Sequence, residues 1–351
     1  MATYVSLVAN INAVVSGLFS LSLNGFIIVV ILKGKSTTTG YYKWIIMSTA
    51  IFDVTFSMIN AFACPTIAAI GSESSVIIVK GGLQIPFLYG RILLIIWVIL
   101  LCTSIVVSPC SFIFQYFQVC RAQWMALYGK RLLFVLVIPL GVALVAASML
   151  CVSAYPDAED YSYFDPIALH LYLNEPRAYL VATLRAEEYD EDILQSRMLI
   201  VACIYLVCIL FISLLTMLIC SRLIMVAVKR ASSESSTRLQ NQALKVLLVQ
   251  FAIPFLFIQI PFCSCCLAPL LRLETGRIAD FLPFLFAWSP VLNPVAVMCF
   301  VKDLRPSKKF LFFVPRNTAW GSQNKTHVGQ NTNNSSRGQL QAAASYRRTV
   351  L

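Results

Sequence analysis

Charge is missing where the chain's length would otherwise supply it. Lys, Arg, Asp and Glu make up 12% of the 351 residues, where about 25% is usual for a soluble domain. The seven longest apolar stretches hold one formal charge among them, Asp53. Histidine is scarcer still, with His170 and His327 alone. No Gly-rich phosphate loop, His-Glu-x-x-His or pair of intramembrane carboxylates occurs, so the common phosphotransfer and metalloenzyme sites cannot be assembled. An enzyme is not expected, nor a cofactor. Cysteine is plentiful, at twelve, yet absent from the long acidic segment 155–197. Cys263, Cys265 and Cys266 cluster without His or carboxylate neighbours, which points to small packing residues and not to a metal site.

What the chain does have is hydrocarbon length. Its mean hydropathy is +0.78 and 59% of its residues are hydrophobic. A helix needs about 20 apolar residues to cross a bilayer. Leu7–Leu32, Trp44–Ile70, Ile92–Cys120, Leu132–Ser153, Met198–Cys220, Val246–Leu271 and Phe281–Val301 all qualify. They predict an all-α membrane protein, a seven-transmembrane helix bundle within residues 1–301. The first stretch lacks a basic n-region and a small-residue cleavage site, so it is expected to be a retained helix.

The charges outside these stretches sort into two sets of gaps. Ten of the sixteen carboxylates lie between Asp157 and Asp192. Bases gather in the alternate gaps, at Lys33, Lys35 and Lys43, at Arg121, Lys130 and Arg131, and at Arg222, Lys229, Arg230, Arg238 and Lys245, with more after Val301. Lys and Arg mark the cytoplasmic face, so the N-terminus is expected outside and the C-terminus in the cytoplasm. The net charge of +11 is then a topology effect. Without a basic stripe interleaved with aromatics, nucleic acid is not an expected partner.

Residues 155–197 become extracellular loop 2, too long for a structureless connector. Pro176, followed by Tyr179, Leu180, Thr183 and Leu184 at near-helical spacing, predicts a short outer helix there; a solvated acidic loop is the alternative. Residues 302–315 join Lys308 and Lys309 to Phe310, Phe312 and Phe313, as an interfacial segment on the lipid bilayer would. Residues 316–351, rich in Asn, Gln, Ser and Gly, read as a disordered cytoplasmic tail. The chain closes on Thr349-Val350-Leu351, which fits the pattern that adds as a strand to PDZ domains, making a PDZ protein a candidate partner.

Ionisable groups at membrane depth are costly enough to be functional candidates by default. Asp53 is such a group, and Asn24 and Asn293 fall at comparable depths. The three are expected to form a hydrogen-bonded switch; a neutral Asp53 bonded locally is the alternative. Pro254, Pro261 and Pro269 in the sixth stretch, and Pro283, Pro290 and Pro294 in the seventh, each remove a backbone hydrogen bond and bend the helix. They read as hinges or, where neighbours satisfy the freed carbonyls, as fixed kinks.

Three segments carry a family resemblance. KSTTTGYYKWIIMSTAIFDVTFSM, Lys35 to Met58, resembles the first inner loop and second helix of nematode serpentine chemoreceptors of the Str class. LQNQALKVLLVQFAIPFLFIQIP, Leu239 to Pro261, is similar to that family's entry into helix six, with Gln250, Pro254, Ile260 and Pro261 at its motif positions. SPVLNPVAVMCFVKDLR resembles the family's close of helix seven. Two positions depart: Gln115 stands before Tyr116 where the family usually has Arg, and Asn293 stands where it has Asp. A disulfide from the outer loop to helix three, usual in rhodopsin-like receptors, has no loop cysteine to form it.

The resemblance implies a chemosensory (olfactory) receptor in the plasma membrane of sensory-neuron cilia, coupled to a heterotrimeric G protein. On that basis an odorant or other small chemical ligand enters from outside. Tyr89, Trp97, Cys102, Tyr205 and Gln259 are the candidate ligand contacts, each an aromatic or polar handle in an apolar wall. Asn24, Asp53, Pro254, Pro261, Asn293 and Pro294 are the candidate switch and hinge. Gln115, Tyr116, Arg121, Arg222, Lys229, Arg230 and Lys245 are the candidate G-protein contacts, exposed as helix six swings outward. A seven-span ligand-gated channel or transporter subunit is the alternative, and Gln115 leaves open a bundle that does not couple.

Overall fold

A computed structural model describes residues 2–33, 42–70, 75–121, 123, 134–171, 176–184, 190–230, 234–268, 270–271 and 278–301. The interfacial segment 302–315, the tail with its terminal motif, and Lys35, Lys130 and Arg131 lie outside them.

Apolar length sets the helices. In chain order they are α1 (Ala2–Leu32), α2 (Tyr42–Ala63), α3 (Phe87–Cys120), α4 (Phe134–Ser153), α5 (Ala158–Leu171), α6 (Asp190–Arg230), α7 (Glu234–Pro254), α8 (Ile260–Leu267) and α9 (Ile278–Phe300). A π-helical turn, Phe255–Gln259, joins α7 to α8, and the three form one span. Among the described residues, six spans are long and apolar enough to cross a bilayer; in α4 the apolar part is the shorter Val137–Ser153. Leu18, Ile138, Phe211 and Leu218 are each more than 60% exposed. Side chains of that size left bare on several helices form a belt that hydrocarbon, not water, covers.

Inside, the bundle holds two apolar clusters. One, at the end formed by the close of α2 and the start of α3, includes Phe56, Trp97, Leu101, Ile105, Leu199 and Phe286. The other, towards the opposite end, includes Ile27, Ile46, Phe112, Met217, Ile224 and Leu247. Where α1 meets α2 the backbones come close: a Cβ on Gly17 would lie 3.1 Å from Ala61 Cβ. Small residues permit this approach in lipid, where contact rather than water release drives helix association.

A small sheet covers the first end. The second apolar stretch does not run on as a helix to Ile70; α2 stops at Ala63. Proline at position 65 disfavours helical backbone before it and offers no N–H, and Cys64 turns into left-handed space at φ 40°. The chain then forms β1 (Pro65–Ile70) and β2 (Ser75–Lys80), and β3 (Tyr179–Ala182) joins β2 to complete an antiparallel sheet in the order β1-β2-β3. The outer helix expected from Pro176 onward is therefore a strand. Its pairing partner decides the matter, because Val76 to Val79 present a ladder to Tyr179 to Ala182. A helix forms earlier in the loop instead, as α5.

Alternation along the strands buries both faces. Val76 and Leu180 belong to the bundle's first cluster, while Ile77, Val79, Tyr179 and Val181 pack against Phe164 and Ala168 of α5. The sheet is thus sandwiched between the bundle and α5. Its β3 edge is tied by Val181 N, which donates to Ala154 O at 2.9 Å, and the β1–β2 ladder is extended by Gly81 N, which donates to Ala63 O at 3.1 Å.

Lys80 ends β2 almost completely buried, its Nζ donating to Gly81 O and Leu83 O. Burial, with the Arg177 guanidinium nearby, pushes its amine below the usual lysine value. A lysine with a depressed folded pKa binds its proton more tightly when unfolded, so its contribution makes stability rise with pH. The window lies between that folded value and the ordinary value of about 10.4. Burial and the Asp165 contact push the Tyr179 phenol the other way, so its contribution makes stability fall once pH exceeds about 10. In thermal unfolding scans across the alkaline range, Lys80→Met should flatten the rising limb and leave the fall above it.

Candidate functional site

The membrane interior is crossed by a chain of polar contacts whose origin is a proline. Pro294 has no N–H, so the carbonyl one turn back, Pro290 O, has no helical donor. α1 supplies the replacement. Asn24 Nδ2 donates to Pro290 O at 3.0 Å, and Ser20 Oγ donates to the same oxygen at 3.3 Å. Ser57 on α2 donates to Ser20 Oγ at 2.7 Å. One turn from Ser57, Asp53 accepts from Asn293 Nδ2 at 3.3 and 3.1 Å through its two carboxylate oxygens. Asn24, Asp53 and Asn293 are all at least 95% buried. The three expected switch residues therefore occupy one interior layer, as two linked pairs: Asp53 with Asn293, and Asn24 with the proline carbonyl beside them. Ser20 and Ser57 were not anticipated, although the missing amide of Pro294 was a readable sign that Pro290 O needed a partner.

Above this layer, in the sheet-covered half, lie four of the five residues nominated as ligand contacts. Trp97 is fully buried; its Nε1 donates to Asn60 Oδ1 at 3.0 Å, and its ring lies 5.7 Å from that of Phe286. Cys102 is buried in the same cluster and Tyr205 packs half-buried against it. Gln259 is 0% exposed. Its Nε2 donates to Ser104 O of α3 at 3.1 Å, which fixes the amide orientation because a carbonyl only accepts. Its Oε1 is left buried without a partner, an arrangement that costs about 1–3 kcal/mol. Tyr89 stands apart: it is 63% exposed in the first turn of α3 and does not line this interior.

Gln259 closes the π turn. Pro254 lies just before that turn and Pro261 just after it, and Ile260 N reaches back to Phe255 O to form the wide loop. Such turns occur where the regular ladder is interrupted, frequently at functional positions. The two hinge prolines of the sixth span therefore bracket one local defect, and Gln259 ties that defect to α3.

At the end away from the sheet, Arg121, Arg222, Lys229, Arg230 and Lys245 are exposed. Tyr116 is half-buried, with its ring 5.6 Å from that of Phe117. Gln115 is buried, at 3% exposure, and its Oε1 has no partner. Among the described residues, no group of His, Cys, Asp or Glu has a geometry that could hold a metal ion.

Seven apolar helices around a polar interior layer, with one end roofed by a sheet, define a seven-helix multi-pass membrane protein. The chain belongs to the serpentine type 7TM GPCR chemoreceptor family Str, whose family model matches residues 9–307. It is similar to the serpentine receptor class r-10 of Caenorhabditis briggsae, with 22% identity over 298 residues that cover 83% of this chain and 86% of that receptor. It is also similar to the serpentine receptor class r-10 of Caenorhabditis elegans, with 23% identity over 283 residues that cover 78% of this chain and 82% of the other.

Proposed function

We propose that the chain is a chemosensory receptor that binds a small ligand in the sheet-covered half and activates a heterotrimeric G protein at the other. The sheet end faces outward, the tail is cytoplasmic, and the receptor resides in the plasma membrane of sensory cilia. Gln259 carries this reading: a fully buried acceptor, held in one orientation from α3, sits on the π turn of the span that has to move. A ligand offering an N–H or O–H satisfies Oε1 and replaces wall contacts around Trp97, Cys102 and Tyr205. Because Gln259 belongs to the π turn, the same contact biases the bend between Pro254 and Pro261. Movement of α7 then opens the end where Gln115 is unpaired and Tyr116, Arg121, Arg222, Lys229, Arg230 and Lys245 form the G-protein face. Asp53, Asn24, Asn293 and Pro294 link the two halves along α9.

Purified receptor, a panel of alkanols with the ketones of equal carbon number, and nucleotide exchange on a G protein together test the proposal. Alkanols should outperform ketones, and Gln259→Leu should lower alkanol potency about ten- to hundredfold, the worth of one buried hydrogen bond, while leaving ketone potency unchanged. Saturable ligand binding without accelerated exchange on any G protein would refute the coupling.

A further inference from the structure

The start of α3 concentrates positive charge for which the described residues show no ion pair. The helix begins at Phe87 behind Pro86, with no side-chain cap and no acidic residue in its first turn. The amides of a helix start carry about half a positive charge, and here a cation follows them at once, Arg91. Its side chain is only 5% exposed, a state that charged groups usually reach only when paired. Among the described residues, rings surround it: the centroids of Phe87, Tyr155 and Tyr161 lie 4.6, 4.4 and 5.7 Å from Arg91 Cζ. Aromatic faces stabilise a guanidinium but accept few of its hydrogen bonds, which leave from its edge. Nη2 donates to Tyr161 Oη at 2.7 Å, and Nε is buried without an acceptor. Two described carboxylates of α5 near Tyr161 have other partners. Asp160 accepts from Asp157 N at 2.9 Å, and Asp165 accepts from Tyr179 Oη at 2.7 Å. Lys80 adds a second buried cation beside the helix start, its Cδ 3.3 Å from where a Cβ on Gly90 would sit.

We infer that Arg91 and Tyr161 form a binding site for the oxyanion head of an amphiphile, a carboxylate or a lipid phosphate. The Nε–Nη edge of a guanidinium matches two oxygens of either group. Tyr161 Oη accepts from Arg91 and keeps its own proton to donate as a third contact. Leu88, three residues before Arg91 and on the same face of α3, is 64% exposed, an apolar footing for the tail of such a molecule. The site is separate from Gln259 and works without a G protein.

The test uses full-length receptor in phosphatidylcholine nanodiscs, with hexanoate as the probe, hexan-1-ol as the uncharged control and unfolding temperature as the readout. Hexanoate should raise that temperature saturably by a few degrees, while any shift that hexan-1-ol gives through Gln259 should be the same in Arg91→Met as in the unaltered receptor. Arg91→Met should remove the hexanoate shift. Arg91→Lys, which keeps the charge without the fork, should weaken apparent affinity about tenfold. Adding phosphatidic acid to the nanodiscs separates the two sources. If it stabilises the receptor and blunts the hexanoate response, the site takes lipid phosphate; if the hexanoate response persists undiminished, it takes a free carboxylate. No shift with either anion overturns the assignment, as does an equal shift in Arg91→Met. Should Arg91→Met not fold, wild-type affinity in both Arg91→Lys and Tyr161→Phe overturns it instead.

Discussion

Asn24→Leu is expected to cost the folded receptor about 2 kcal/mol, because it strips the better donor from a buried carbonyl. Asparagine and leucine are close in shape, so the loss isolates the hydrogen bond from packing. Pro290 O would be left with the 3.3 Å contact from Ser20 alone. The carbonyl is exposed to this loss only because Pro294 lacks an N–H, and that dependence can be tested. In a Pro294→Ala background the alanine amide supplies the helical bond, and Asn24→Leu should then cost less than about 0.5 kcal/mol. Unfolding temperatures of the four purified receptors complete the double-mutant cycle. Equal costs in the two backgrounds would mean that Asn24 acts through Ser20 and not through the proline carbonyl.

Gly90→Val should keep the receptor from reaching the cell surface. A Cβ at this position would lie 2.9 Å from Ala178 Cβ, which is fixed directly to the backbone leading into β3. The methyl cannot swing aside as a long side chain does, so the strand's approach has to shift, and the sheet is docked through that approach. Lys80 N donates to Ala178 O at 2.9 Å, and Lys80 in turn carries the end of β2. Overpacking of this kind costs about 1–3 kcal/mol for a methyl group, and valine adds two more carbons. Ala178→Gly should restore surface expression to Gly90→Ala, because it removes the facing Cβ. A Gly90→Val receptor with normal surface staining and an unshifted unfolding temperature would show that the sheet yields at no cost.

Hydrocarbon length was plain in the residues, and so was the shared depth of Asn24, Asp53 and Asn293. Both follow from one-dimensional spacing along helices. The sheet was hidden because Pro65–Ile70 continues an apolar run, and a short apolar segment does not declare whether it is helix or strand. Its hairpin partner Ser75–Lys80 pairs in turn with Tyr179–Ala182, about a hundred residues further on, a separation that periodicity cannot span. Tyr89 lies apart from the other four for a simpler reason: depth says how far along a helix a residue sits, not which way it faces, and Tyr89 is 63% exposed. Arg91 was not singled out, since nothing in sequence shows three aromatic rings converging on it from α3, the α4–α5 connection and α5.

Roofing one end in two layers, a sheet and then α5 above it, has a cost for any visitor arriving through water. It would have to part a hydrogen-bonded ladder and the apolar contacts on both of its sides. An oily molecule dissolved in the surrounding hydrocarbon faces only seams between neighbouring helices. The potency of stimulants in a homologous series should therefore track their partitioning into lipid more closely than their aqueous concentration.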